Sequence, residues 1–387
     1  MDKQFLRFFD FLAFCLSEDR AIPEGIELLD WRAMYDFARR QSVVGVVFHG
    51  MQRLPADRVK VPREVLMLFM ATAAQIRQRN VVMYRQSALV SERLLQDGFR
   101  NCILKGQGNA LMYPDPYIRM SGDVDVWVEG RRKDIMAYAR KHVPDAEARC
   151  YHVDFPVIRD VSIELHFVPS VANNWVYRHR MERFFERMRD LQCSNLVELP
   201  DGLGRMPVPT LEFNLVYQLS HMMHHFFDEG IGLRQMMDYY FLIGHRGRRE
   251  DGGRREEGGR RGEDEHREEE EHRGIGEGEG EELQKTLQWL GLRKFAGAVM
   301  YVMREVFGLE EGYMIVPADE WRGRTLLEEI LRGGNFGQHS GLTEHGMAAK
   351  YFLKIRRNMG FVRQYPAEAL CEPLFRTWHF FWRMRNR

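Results

Sequence analysis

Two carboxylates placed two residues apart, Asp123 and Asp125, carry the most definite chemistry in this sequence. They lie in Gly122-Asp123-Val124-Asp125-Val126-Trp127-Val128, whose alternation predicts a β-strand over 123–128. Residues two apart on a strand face the same way. Both carboxylates should therefore project together, while Val124, Val126 and Val128 turn into a core. Neighbouring carboxylates repel each other, and a cation relieves that repulsion. Mg²⁺ is the expected ion, because it takes oxygen ligands and is commonly shared with substrate phosphates. The plainer alternative is a solvated strand edge bearing two acids.

The residues upstream suit the metal reading. Asn101-Cys102-Ile103-Leu104 predicts a short apolar strand, Lys105-Gly106-Gln107-Gly108 a turn, and Asn109 to Tyr113 a helix. A glycine turn between strand and helix offers backbone N–H groups to an anion, and Lys105 adds a positive charge. Glycines alone are a weak signal; the same glycines before a paired-carboxylate strand are a better one. Further on, Val161-Ser162-Ile163-Glu164-Leu165-His166-Phe167 is a second alternating strand, with Glu164, Ser162 and His166 on its polar face.

Lys105-Gly106, Tyr113-Pro114, Arg119 and Gly122-Asp123-Val124-Asp125 together resemble the uncharacterised nucleotidyltransferase family of bacteria. That family belongs to the DNA polymerase beta-like nucleotidyltransferase superfamily. The superfamily pattern is a Gly-Gly or Gly-Ser turn, a helix, an Asp-x-Asp strand and a third carboxylate on a later strand. Here Lys105-Gly106 stands at the turn, as in the narrower family, and the resemblance runs from Leu104 to Leu242. It implies an α+β fold, a small mixed-sheet nucleotidyltransferase core with extensive flanking α-helices. It also implies transfer of a nucleoside monophosphate from a nucleoside triphosphate, ATP among the candidates, to an acceptor with release of pyrophosphate. Asp123 and Asp125 would hold Mg²⁺. Glu164, an acidic residue before Leu-His as recurs in the family, would complete a two-metal site or act as a base. Lys105 and Gly106 would take the triphosphate. Arg119 would either neutralise charge on phosphate or steady the carboxylates through a salt bridge. Ser121 joins them as a substrate-binding candidate, or with Gly122 only shapes the strand.

Two other readings compete. A metal-dependent glycosyltransferase also uses Asp-x-Asp on a strand, but it places a longer nucleotide-binding α/β region before the motif. In this chain a helical block, one strand and one turn precede it. A non-catalytic nucleotide-binding or regulatory module is the other alternative, although nothing structural requires all three carboxylates.

The surrounding chain divides by pattern. Residues 1–100 read as a helical region, with periodic segments Trp31 to Arg53 and Pro62 to Leu95. Residues 101–209 carry the α/β core and close on a hairpin turning at Asp201-Gly202. Residues 210–243 return to helix, with Thr210 as the expected cap. His221 and His225 share a face of that helix, close to His224. A zinc site built on the pair would need Glu164 or Asp238 as a third ligand, so lining the cleft is the plainer role. Asp238 is expected to pair with Arg234 one turn back, or to serve near the cleft. Residues 244–282 are almost wholly Gly, Arg and Glu and read as a disordered insertion, too poor in apolar side chains to offset chain entropy. Helical pattern resumes over 283–387.

Composition excludes several classes. With 56 basic and 56 acidic residues the formal net charge is zero, which disfavours long nucleic acids as partners. No apolar run reaches the length of a membrane span, and no signal-peptide pattern opens the chain. The five cysteines are scattered without metal-type spacing, so a reduced, cytoplasmic protein is expected. The acceptor stays open among a small hydroxylated molecule, a sugar, a protein side chain and a nucleic-acid end.

Overall fold

The computed structural model describes residues 3–57, 59–258, 277–338 and 347–386. Four helices precede the first strand: α1 (Lys3–Leu16), α2 (Trp31–Gln41), α3 (Val44–Met51) and α4 (Arg63–Gln96). Asp30 caps α2 by accepting from the Ala33 N–H at 3.0 Å. The segment expected to run unbroken from Trp31 to Arg53 divides at Ser42, where φ is 59° and the chain leaves the right-handed region. Pro62 stands at the N-cap of α4, where its missing N–H costs no helix bond.

The central sheet follows. Its elements in chain order are β1 (Asn101–Leu104), α5 (Gln107–Ala110), β2 (Val124–Val128), α6 (Arg132–His142), β3 (His152–Asp154) and β4 (Ile163–His166). The strand order is β1-β2-β4-β3. β2 and β4 pair in parallel, and the two outer pairings are antiparallel. Next come α7 (Trp175–Ser194) and the hairpin of β5 (Leu196–Glu198) and β6 (Arg205–Pro207), which turns at Asp201 and Gly202 as expected.

The helical half comprises α8 (Leu211–Asp228), α9 (Leu233–Gly258), α10 (Glu277–Trp289), α11 (Arg293–Phe307), α12 (Glu320–Gly333), α13 (Met347–Met359) and α14 (Pro366–Arg385). The helix expected over Leu283 to Phe307 breaks at Gly291, whose φ of 77° favours glycine and where an added Cβ would lie 2.5 Å from the Tyr177 ring. The stretch 244–282 begins inside α9 and ends inside α10, and residues 259–276 lie outside the described residues. No helix among the described residues is long and apolar enough to cross a membrane. The architecture is thus α+β, a small mixed sheet set among many helices.

The sheet has an apolar core on each face. Val124, Val126 and Val128 pack with Ile163 and Leu165, with Ile135 and Ala139 of α6, and with Val90 and Leu94 of α4. On the other face Trp127 is 1% exposed and stacks on Phe213 of α8, with ring centroids 5.6 Å apart. The face expected to be polar is therefore closed by helices, and Asp125 is buried on it. The loop leading into β2 is held from the N-terminal helices. Asn80 of α4 donates to the carbonyls of Tyr117 and Arg119 at 2.8 and 2.7 Å. Gly45 of α3 meets the Ile118 carbonyl so closely that an added Cβ would lie 2.1 Å from its oxygen.

Candidate active site

One register row of the sheet runs Leu104, Asp125, Glu164, Asp154. The parallel pairing of β2 with β4 sets Glu164 beside Asp125, and Asp123 enters immediately before β2. One oxygen from each of Asp123, Asp125 and Glu164 lies within 4.8 Å of the others. The three carboxylates expected to act together are therefore together.

The turn after β1 brings the cation. Lys105 and Gly106 both have positive φ, 41° and 52°, and the ψ of −112° at Gly106 suits glycine alone. This conformation aims Lys105 back across the sheet end. Its Nζ lies 2.9 Å from Asp125 Oδ2 and 2.8 Å from His221 Nε2. Burial works against the charge on Lys105, but Asp125, Asp123 and Glu164 outweigh it and hold the pKa above the ordinary lysine value. Burial and the Lys105 charge keep His221 well below the ordinary histidine value. His221 is then neutral, and its Nε2 accepts from the ammonium.

Two histidines to which the sequence assigns no role lie against Glu164. His152 Nδ1 lies 2.8 Å from Glu164 Oε2. His166 Nε2 lies 2.9 Å from Asp125 Oδ1 and 3.2 Å from Glu164 Oε2. Against the cost of burial, Asp125 and Glu164 raise His166 to about 9. Burial pushes Glu164 up, but the two histidines outweigh it and hold the carboxyl well below its usual range. Asp125 is likewise held low against burial by Lys105 and His166. Asp123 moves the other way, raised by burial and by the charge of Asp125. Asp125 and Glu164 are thus ion-paired, to Lys105 and protonated His166, while Asp123 makes no ion pair among the described residues and feels only the longer-range charges of Lys105 and Arg234.

That imbalance and the all-oxygen donor set of Asp123, Asp125 and Glu164 fit a hard divalent cation. A second set, His152, Glu164 and His166, also comes within 4.8 Å and shares Glu164. Its mixed nitrogen and oxygen donors suit transition ions better than Mg²⁺.

Arg119 lines the same cleft but does not reach these carboxylates. Its Nε and Nη2 donate to the two oxygens of Asp238 at 2.7 and 2.8 Å, and Tyr113 donates to the same carboxylate at 2.7 Å. Asp238 therefore pairs with Arg119, 119 residues away in sequence, rather than with Arg234. Arg234 instead donates to the Met120 carbonyl at 3.0 Å. Gly122 lines the cleft, whereas Ser121 is half-buried in the loop and is not part of the cleft wall. The histidine pair on α8 divides, with His221 on Lys105 and His225 2.8 Å from Glu229. His224 packs edge-on against Tyr151. Thr210 sits at the N-cap of α8 but makes no side-chain cap bond.

Residues 27–258 match the model of a family described as uncharacterised nucleotidyltransferases, which is more than half of the chain. The chain belongs to this family. A solved structure of an antigenic nucleotidyltransferase-like protein from Paracoccidioides brasiliensis is similar at 14% identity over 44% of this chain and 76% of that one, with a TM-score of 0.26. No curated protein matches the chain. In this nucleotidyltransferase-family chain, His166 was legible as the polar neighbour of Glu164 but carried no assigned role, and His152 carried no motif at all. A period-two pattern names the polar positions of one strand; it does not say which residue of the next strand lies opposite.

Proposed function

We propose that the protein transfers a nucleoside monophosphate from a nucleoside triphosphate to an acceptor at Asp123, Asp125 and Glu164. The observation that carries this reading is a cluster of three carboxylates facing two cations, set beside a glycine turn bearing a lysine. The acceptor hydroxyl oxygen would bond to the α-phosphorus, its proton passing to solvent water, the bond from that phosphorus to the bridging oxygen would break, and pyrophosphate would leave. Mg²⁺, two ions in the reading that the family resemblance implies, would be held by these carboxylates and would neutralise charge on the phosphates. Lys105 and the Gly106 turn would receive the triphosphate. Glu164 is better suited to hold a cation than to act as a base, since two histidines lower its proton affinity. His152 and His166 position it. Arg119 fixes the loop entering β2 through Asp238, and its role toward phosphate is secondary to that.

The test is to incubate the protein and Mg²⁺ with each nucleoside triphosphate and candidate acceptors, and to measure pyrophosphate. Release with at least one triphosphate is expected, and it should fall by about a hundredfold or more in Glu164→Gln, the loss of a ligand to the catalytic cation, while nucleotide binding changes far less. Absence of both release and Mg²⁺-dependent nucleotide binding would sink the proposal. Binding without release would leave a module that holds nucleotide but does not turn over.

A further inference from the structure

The cleft at the carboxylates is small. Its free volume is about 30 Å³, room for an ion or a water but not for a nucleobase. On the other side of α5 lies a cavity of about 440 Å³, within the range of small-molecule sites. Asn109 lines both spaces. The cavity is otherwise walled by the far end of α5, by the base of the β5–β6 hairpin, by the first turn of α8 and by Leu242 and His245 of α9. With four residues, α5 is about 6 Å long, so one short helix separates the Lys105 turn from this cavity.

Three residues that line the cavity, Asn109, Thr210 and Asn214, each leave a buried polar atom unmatched. Asn109 Oδ1 accepts from Asn214 Nδ2 at 3.2 Å and from Gln218 Nε2 at 3.1 Å. This leaves the Asn109 amide donor and the Asn214 amide oxygen buried without hydrogen-bond partners, in residues only 1% and 5% exposed. The Thr210 hydroxyl is also without a partner, and the first turn of the 18-residue α8 has no side-chain cap. Buried donors and acceptors are rarely left unmatched unless a ligand or water meets them. The remaining walls mix apolar Leu111, Met112, Val197, Val208 and Leu242 with polar Asn195, Glu212 and His245. An unmatched amide donor and an unmatched amide acceptor, on two residues that line a cavity of mixed polar and apolar walls, are complementary to a flat heterocycle that carries both an acceptor and a donor, as the nucleobases do.

We propose that this cavity seats the nucleobase of the nucleotide whose phosphates meet Lys105, a placement that rests on the nucleotidyl-transfer reading. The base lies between the hairpin and the start of α8, its polar edge against Asn109 and Asn214. The phosphates pass around α5 to the Lys105–Gly106 turn. The uncapped N–H groups of α8 receive a base carbonyl or a sugar oxygen.

The test uses the full chain and two variants. Asn214→Leu removes the acceptor, and Leu211→Trp fills the cavity from a half-buried position in its wall. Adenosine, guanosine, cytidine and uridine are titrated without metal by ligand-observed NMR at millimolar concentration. Inorganic tripolyphosphate and the four triphosphates are titrated with Mg²⁺. At least one nucleoside should bind the wild type. Both folded variants should weaken that nucleoside and its triphosphate by about tenfold or more, the effect of one or two lost hydrogen bonds or of exclusion, with tripolyphosphate unchanged within about twofold. No nucleoside bound to the wild type, or equal binding to both variants, would overturn the proposal. Loss of nucleoside binding with triphosphates unaffected would place the acceptor's base here and overturn the assignment to the donor nucleotide. If nucleosides bind and respond to the variants while neither tripolyphosphate nor triphosphates bind with Mg²⁺, the base pocket stands and the transfer reading falls.

Discussion

Two sets of carboxylate meet at one cleft, and they are built in opposite ways. Asp238 meets a guanidinium through both oxygens and a phenol hydroxyl besides, so its charge is matched and its carboxyl is held below the usual range against burial, chiefly by Arg119. Asp123 has Asp125 and Glu164 for neighbours, while Lys105 and His166 spend their charge on Asp125 and Glu164. Its carboxyl is raised by burial and by Asp125. A matched carboxylate is complete within the chain and serves the fold. An unmatched one, crowded by its own kind, destabilises the empty protein and has a use only when a cation arrives. Both are acidic residues in the cleft of a nucleotidyltransferase-family chain, and only their surroundings separate a structural role from a chemical one.

Breaking the matched site should have the largest effect on stability. Asp238→Asn leaves the buried Arg119 guanidinium without its counter-charge, and removing one partner of a buried pair costs about 3–5 kcal/mol. Urea denaturation should show that loss. A change below about 0.5 kcal/mol would erase the contrast between the two sites.

Lys105→Ala sharpens the contrast from the other side, because Lys105 is the cation nearest the unmatched cluster. Triphosphate binding should weaken by roughly ten- to a hundredfold, the value of a charge-assisted hydrogen bond of about 1.5–3 kcal/mol. Nucleoside binding should hardly change. Equal, small effects on both ligands would leave Lys105 a partner of Asp125 and nothing more.

Glu368 offers an intermediate case, satisfied by backbone rather than by a cation. It accepts from the N–H groups of Asn173 and Asn174 at 2.7 and 3.3 Å, yet burial raises its pKa to about 7. The folded state then binds a proton that the unfolded chain has lost, between the ordinary carboxylate value and about 7. Stability from this group should be fullest below that window and should fall as pH rises through it. Glu368→Gln keeps an acceptor and loses the charge. Its melting temperature should match the wild type in acid, exceed it modestly at pH 8, and lack this part of the pH slope. Parallel melting curves across the window would contradict the assignment.

The sequence spoke clearly where chemistry is local and was silent where it is not. Asp123 and Asp125 could be placed on one strand because a strand has period two. Glu164 beside them depends on the parallel pairing of β2 with β4, a contact between distant segments, and was reached only through family resemblance. The burial of Asp125 went unread because the helices covering that face come later in the chain, although Trp127 in the same strand was the signal that the face is not open to water. Spacing within one helix sees only that helix and so pairs Asp238 with Arg234, whereas the fold supplies Arg119 from the loop before β2. The first hundred residues carry no catalytic motif, yet Asn80 and Gly45 hold the loop that delivers Asp123.

The central claim is that Asp123 carries an unmatched charge awaiting a divalent cation. Thermal unfolding of wild type and Asp123→Asn, each with and without Mg²⁺, tests it most directly. Without metal the variant should melt at the wild-type temperature or above, since a repulsive charge has been removed. Mg²⁺ should stabilise the wild type, by about 2.7 kcal/mol when present at a hundred times its dissociation constant, and should leave the variant nearly unmoved. A variant that gains as much from Mg²⁺ as the wild type, or that is destabilised without metal as Asp238→Asn should be, would show that Asp123 is a structural carboxylate and would contradict the account.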